Sequence, residues 1–134
     1  MEIVTVNGCF DILHPGHLDF LKFAKEHGDK LIVLLNSDSS IKKLKGKNRP
    51  IFSQSYRKKM LLALKYVDKV IIFNETSPNK ILETVRPQIH VKSKDAIKSK
   101  VKEEAKIVNK YGGKVIWYKT TNNFSSTKII EMIK

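Results

Sequence analysis

Apolar positions along this chain follow two alternating rhythms. Short, nearly unbroken apolar runs give way to stretches in which apolar residues recur every three or four positions, and then return. Residues 3–7 (IVTVN) form the first run. Residues 30–35 (KLIVLL) form the second, with the continuous apolar character of a strand covered on both faces. Residues 69–73 (KVIIF), 89–92 (IHVK) and 114–118 (KVIWY) predict a third, fourth and fifth strand. Between them lie helical spacings. Residues 16–27 place Leu18, Leu21 and Ala24 on one face and are closed by Gly28. A polar, Lys-rich stretch fills 36–50, after which Ser53 stands as the N-cap of a helix reaching about Tyr66. Ser77-Pro78 sets a capping serine before a proline at the first helical position, predicting a helix to about Arg86. Residues 96–111 turn Val101, Ala105 and Val108 inward and stop at Gly112-Gly113. Ser125 or Ser126 caps a last helix carrying Ile129, Ile130 and Ile133.

Five strands alternating with helices predict an α/β fold: a Rossmann-like, doubly wound, five-stranded parallel sheet with helices on both faces. The 134 residues fit one domain, 1–134, with no repeat or linker. In such sheets ligands bind beyond the carboxyl ends of the strands, so the residues just after each strand are the ones that matter.

Composition adds little to that picture. Hydrophobic residues make up 41% of the chain, as in a folded protein, and no apolar run approaches the length of a membrane span. The opening residues (MEIV) enter a strand pattern rather than a signal peptide, and Cys9 has no partner for a disulfide within the chain. A cytoplasmic location is the expectation. The formal net charge of +13 favours anionic partners, from nucleotides and sugar phosphates to nucleic acid. Most of that charge is Lys on polar faces, whereas Arg, with its bidentate fork, would be the sharper sign of phosphate recognition.

The chemistry gathers after the first strand, in Asn7-Gly8-Cys9-Phe10-Asp11-Ile12-Leu13-His14-Pro15-Gly16-His17. Two imidazoles flank Pro-Gly where a helix begins. Pro15 keeps His14 extended and presets φ for the first turn. Gly16 lets a phosphate oxygen approach the backbone at the positive end of a helix. His14 and His17 can then donate hydrogen bonds to phosphate oxygens.

That segment resembles the HxGH signature of the nucleotidyltransferase superfamily that includes glycerol-3-phosphate cytidylyltransferase. It is similar in particular to the adenylyltransferase domain of bacterial ADP-heptose synthase, which acts on heptose 1-phosphate. The resemblance extends through Asn36-Ser37-Asp38, Leu44-Lys45-Gly46, Arg49-Pro50, Arg57, Val67-Asp68 and Phe124-Ser125-Ser126-Thr127, in that order. It implies catalytic roles for His14, His17, Lys45 and Arg49. It implies nucleotide contacts at Gly8, Cys9, Phe10, Gly16, Lys92, Asp95, Phe124, Ser125, Ser126 and Thr127. Asp11, Asp38 and Arg57 fall on the acceptor side. Ser126 alone would read as a helix cap; the resemblance makes the hydroxyl cluster a second phosphate site.

A triphosphate site calls for Mg²⁺, which takes one or two carboxylates with waters and phosphate oxygens, and Asp11 in the phosphate loop is the preferred protein ligand. Three departures stand out. Ser93-Lys94-Asp95 replaces the family's Gly-Gly-Asp, and Asn122-Asn123 replaces its Glu-Gly. Thr120 stands where the glycerol-phosphate branch has arginine, which favours a sugar phosphate. ATP with heptose 1-phosphate is therefore the first expectation, and CTP with glycerol 3-phosphate or a related polyol phosphate the second. The resemblance also implies a homodimer. A nucleic-acid-binding module on a degenerate nucleotide fold is the rival from another class. It is disfavoured because Trp117 and Tyr118 read as packing residues of a core strand.

Overall fold

The computed structural model describes residues 1–119 and 126–133. The elements run β1 (Ile3–Gly8), α1 (Pro15–Lys25), β2 (Lys30–Asn36), α2 (Asp38–Lys45), α3 (Gln54–Leu62) and β3 (Lys69–Phe73). They continue with α4 (Asn79–Val85), β4 (Ile89–Ser93), α5 (Lys98–Lys110), β5 (Lys114–Tyr118) and α6 (Ser126–Ile133). All five strands pair in parallel, in the order β3-β2-β1-β4-β5.

Strand alternation divides the core into two layers. Leu31, Val33 and Leu35 of β2 pack with Leu21 and Ala24 of α1 and Leu61 of α3. Ile32 and Leu34 point the other way, to Leu82 of α4 and Val108 of α5. The unbroken apolar run of β2 thus has a use on each face. Full burial of a leucine such as Leu21 contributes roughly 1.5–3 kcal/mol. The chain winds outward through β2 and β3, then returns to the other side of β1 to make β4 and β5. The order reverses between β1 and β4, and a crevice opens above their carboxyl ends.

Several boundaries move from the sequence reading, each for a local reason. The stretch 36–50 contains α2, whose apolar positions are only Ile41 and Leu44, too few for a visible period. Its cap is Ser37, whose hydroxyl accepts from the Ser40 N–H at 3.2 Å. Ser53 caps α3 as expected, but that helix ends at Leu62 rather than near Tyr66. Pro78 occupies the N-cap of α4 instead of its first helical position. A turn at Lys94-Asp95, closed by the Ala96 N–H on the Ser93 carbonyl, delays α5 to Lys98. Leu18 is 39% exposed while Leu21 and Ala24 are sealed; two successive steps of three residues drift off a 3.6-residue face. Trp117 is 42% exposed, which corrects its reading as a packing residue. It lies on β5, an edge strand with only β4 beside it.

Gly113 marks a close approach at the start of β5. A Cβ there would sit 2.7 Å from the Pro87 carbonyl oxygen and 2.8 Å from a Val108 methyl. Backbone cannot swing aside as a side chain can. Gly113→Ala is therefore expected to cost about 1–3 kcal/mol, the usual range for overpacking, read from the midpoint of a urea titration.

Candidate active site

The crevice at the β1–β4 switch holds a cavity of about 390 Å³. Gly8, at the end of β1, and Lys92, near the end of β4, form its floor, and the loop from Cys9 to His17 forms one wall. Phe10 in that loop adopts a left-handed backbone (φ 47°), a conformation that a bulky residue takes only where its surroundings impose it. Its ring packs against His17 at 5.0 Å between centroids.

His14 and His17 come together as the sequence predicts. His14 is the N-cap of α1, extended at φ −146°, and Pro15 follows at the first helical position. The His14 side chain makes no capping bond; its carbonyl accepts the His17 N–H at 2.9 Å instead. The two rings stack 3.8 Å apart at 22°. Burial pushes the His14 pKa down. Burial, the neighbouring His14 and Lys45 push that of His17 down to about 3. Two stacked cations would repel in a pocket already facing Lys45, so both rings rest neutral at physiological pH. Among the described residues, the buried Nδ1 of His17 has no hydrogen-bond partner.

Gly16, Lys45, Asp95 and Thr127 also line the cavity, as do Cys9 and Phe10. Lys45 is the last residue of α2 and is exposed at the cavity's edge. Thr127 comes from the first turn of α6. Phe124 and Ser125 lie outside the described residues; Ser126 opens α6. Burial pushes the Cys9 thiol up, so it is a neutral part of the wall rather than a nucleophile.

Arg49 stands beside the cavity rather than on its lining. Its Nε donates to Asp11 Oδ2 at 2.8 Å and its Nη1 reaches Thr127 Oγ1 at 3.5 Å. Nη2 is buried and has no partner among the described residues. Asp11 is 1% exposed and both its oxygens are taken. Oδ1 accepts from the Ile51 and Phe52 N–H groups, and Oδ2 from Ile51 and Arg49. Burial pushes its pKa up, but the Phe52 and Ile51 N–H groups and Arg49 together outweigh it and hold the carboxyl below its usual value. A depressed folded pKa stabilises the protein above the unfolded value, near 3.9, and that contribution is lost as pH falls through the folded value. Urea unfolding is thus expected to show the wild type losing more stability than Asp11→Asn between pH 5 and pH 2.

Asp38 and Arg57 pair with each other at 2.8 Å. Arg57 is 1% exposed and does not line the cavity. Its remaining bonds go to the carbonyls of Cys9, Asn36 and Phe52. It knots the phosphate loop, the end of β2 and the segment before α3. Asp68 is remote: it accepts the Leu31 N–H and Lys25 Nζ near the amino end of β2.

Sequence reasoning passed over three contributors. Asn7 lines the cavity and accepts from Lys92 Nζ at 2.6 Å; its place at the end of the first strand was the available signal. Tyr118, read only as packing, does pack at a tilt against Phe20 and Phe23, yet it and Phe20 also wall the cavity. Glu104 reaches Lys92 from α5 at 3.1 Å. A carboxylate between Val101 and Val108 on an inward stripe was its signal.

Neutral imidazoles, a helix N-terminus, lysines and hydroxyls around a switch-point crevice define a site for a phosphorylated nucleotide. The chain belongs to the cytidylyltransferase-like family, whose model matches residues 5–132. It is 47% identical over 133 residues to the bifunctional protein HldE of Campylobacter jejuni subsp. doylei, covering 99% of this chain and 28% of that one. HldE of Geotalea uraniireducens is 42% identical over 133 residues, covering 99% of this chain and 27% of its own. The chain thus spans about a quarter of the length of these relatives. The crystal structure of the lipopolysaccharide core biosynthesis protein of Thermoplasma volcanium is 34% identical, with a TM-score of 0.75, covering 92% of this chain and 99% of that one. Pantoate-beta-alanine ligase of Francisella tularensis, at 15% identity and TM-score 0.66, shares the fold.

Proposed function

We propose that the protein is a nucleotidyltransferase that joins AMP from ATP to a heptose 1-phosphate and releases pyrophosphate. The observation that carries this reading is the stacked, neutral His14–His17 pair at the mouth of α1, which lines the same cavity as Lys92. The likeness to HldE and to a lipopolysaccharide core biosynthesis protein supports the sugar phosphate, together with Thr120 in place of an arginine.

An oxygen of the acceptor phosphate attacks the α-phosphorus of ATP in line. The new P–O bond forms as the bond to the β-phosphate oxygen breaks, and pyrophosphate leaves with that electron pair. The acceptor is largely a dianion at neutral pH, its second pKa being about 6, so no general base is needed. Catalysis is then positioning and charge stabilisation. His14 and His17 donate to oxygens of the transferring phosphate. Lys45 and Lys92 meet the charge that gathers on the leaving group, Arg49 adds its charge from beside the cavity, and Thr127, with Ser125 and Ser126, completes the phosphate contacts. Asp38 and Arg57 shape the acceptor side from beneath.

Mg²⁺ accompanies a triphosphate, and the sequence reading gave Asp11 to it. Asp11 does not fit as its ligand, because its buried oxygens are committed to three N–H donors of the 49–52 segment. The described residues hold no group of three or more His, Cys, Asp or Glu side chains suited to a metal. Asp11 instead anchors the loop that delivers Arg49.

No helix among the described residues is long and apolar enough to cross a membrane. A cytoplasmic homodimer completes the proposal, the dimer being checked by light scattering. The activity is tested by pyrophosphate release, crossing ATP, CTP, GTP and UTP with sugar 1-phosphates and polyol phosphates. Release with ATP and heptose 1-phosphate supports the reading. Release only with CTP and glycerol 3-phosphate moves the protein to the other branch, and salt-sensitive RNA binding without release overturns the enzyme reading.

A further inference from the structure

A row of buried polar side chains runs behind the cavity floor. Val4 and Val6 of β1 and Ile89 and Val91 of β4 face the α1–α3 layer. Their alternates, Thr5, Asn7, His90 and Lys92, therefore turn toward α5. There Glu104, 3% exposed, accepts from His90 Nε2 at 2.9 Å and from Lys92 Nζ at 3.1 Å through the same oxygen. Thr5 Oγ1 lies 2.7 Å from His90 Nδ1. A carboxylate only accepts, so the His90 proton sits on Nε2, and Nδ1 of the neutral ring accepts from the Thr5 hydroxyl. The row ends in the cavity. Thr5 and His90 are sealed in the sheet, whereas Lys92 and Asn7 line the floor.

Lys92 spends two of its three N–H bonds on Glu104 and Asn7, which leaves one for the cavity. A lysine this buried tends to shed its proton. The charged groups facing it are Glu104 and Lys100 of α5 and, if protonated, His90 of its own strand; Asn7 on β1 and Trp117, its register partner on β5, carry no charge. Burial pushes the Lys92 pKa down, Glu104 pushes it back up, and Lys100 opposes. A buried ion pair is poor value for stability alone, since apolar residues of like size serve as well. At a phosphate-binding floor it has another use.

We propose that Glu104 is a positioning residue: it holds Lys92 as a charged ammonium whose remaining N–H meets a phosphate oxygen of the nucleotide, while Thr5 and His90 fix the carboxylate. The proposal rests on the cavity's reading as a nucleotide site but not on turnover.

The test follows the Lys92 side chain by NMR in the full chain with labelled lysine, assigned through Lys92→Arg, and measures ATP affinity by calorimetry. In the wild type, ATP is expected to move the Lys92 titration midpoint upward. Glu104→Gln keeps the shape and can still accept from His90 but lacks the charge. It is expected to lower that midpoint and to weaken ATP binding in the pH range between the two midpoints, with the gap to wild type closing at pH values below both. A purely structural role would shift the melting temperature and leave that pH dependence alone. A folded Glu104→Gln with the wild-type midpoint and affinity overturns the proposal. So does a wild-type Lys92 midpoint that ATP leaves unmoved, a result that needs no variant to fold. If ATP shifts Lys92 while no acceptor yields pyrophosphate, the proposal stands and the transfer reading falls.

Discussion

Replacing His17 by alanine is expected to lower turnover by about 100-fold or more, the scale seen when one preorganised donor to a developing anion is removed. His17 sits between the Phe10 ring and the His14 ring, with its Nδ1 buried beside the phosphate loop. Its pKa near 3 keeps the ring neutral in the free protein. In the proposed transfer it would meet the phosphate without the repulsion that a second cation beside His14 and Lys45 would bring, and would gain strength only as charge builds on the phosphate. Removing it takes away an interaction made chiefly in the transition state, so kcat falls more than KM rises. His14→Ala is expected to behave alike. Steady-state kinetics on folded variants decide the matter, and wild-type turnover in both would remove the imidazoles from the mechanism.

The second large effect is on stability. Arg57→Ala is expected to cost about 3 kcal/mol or more, since each buried acceptor left without its donor costs about 1–3 kcal/mol. Three carbonyls lose their donor at once, on Cys9, Asn36 and Phe52, and Asp38 loses its partner. Arg57→Lys is not expected to rescue, because an ammonium cannot span the positions that the guanidinium fork reaches. Urea denaturation checks this directly. An Arg57→Ala protein of wild-type stability whose only defect is a raised KM for the acceptor would make Arg57 a direct acceptor ligand instead of the support described here.

These two cases show what the sequence could and could not disclose. The HxGH loop was legible because a strand end, a Pro-Gly helix start and two imidazoles are all encoded within a dozen residues. The sheet was legible for the same reason, its strands being compact apolar runs whose boundaries moved by only a residue. Arg57 and Asp11 were found as polar residues that matter, but their roles depend on partners far along the chain. Asp11 meets Ile51 and Phe52, and Arg57 meets Cys9 and Asn36, contacts that no local pattern records. The short α2 escaped notice because a two-turn helix capped by Ser37 offers almost no period. Glu104 was visible only as an anomaly, a carboxylate on an apolar stripe, and acquired meaning once α5 was seen to cover Lys92.

On the proposed reading the chain moves a nucleotidyl group onto a phosphate. Following ATP and heptose 1-phosphate with the protein by ³¹P NMR tests it most directly. The three ATP resonances are expected to decline together while pyrophosphate and the coupled pair of a sugar–nucleoside diphosphate rise in equal amounts. Formation of ADP, or of inorganic phosphate without pyrophosphate, would place bond cleavage at the γ-phosphate and contradict it.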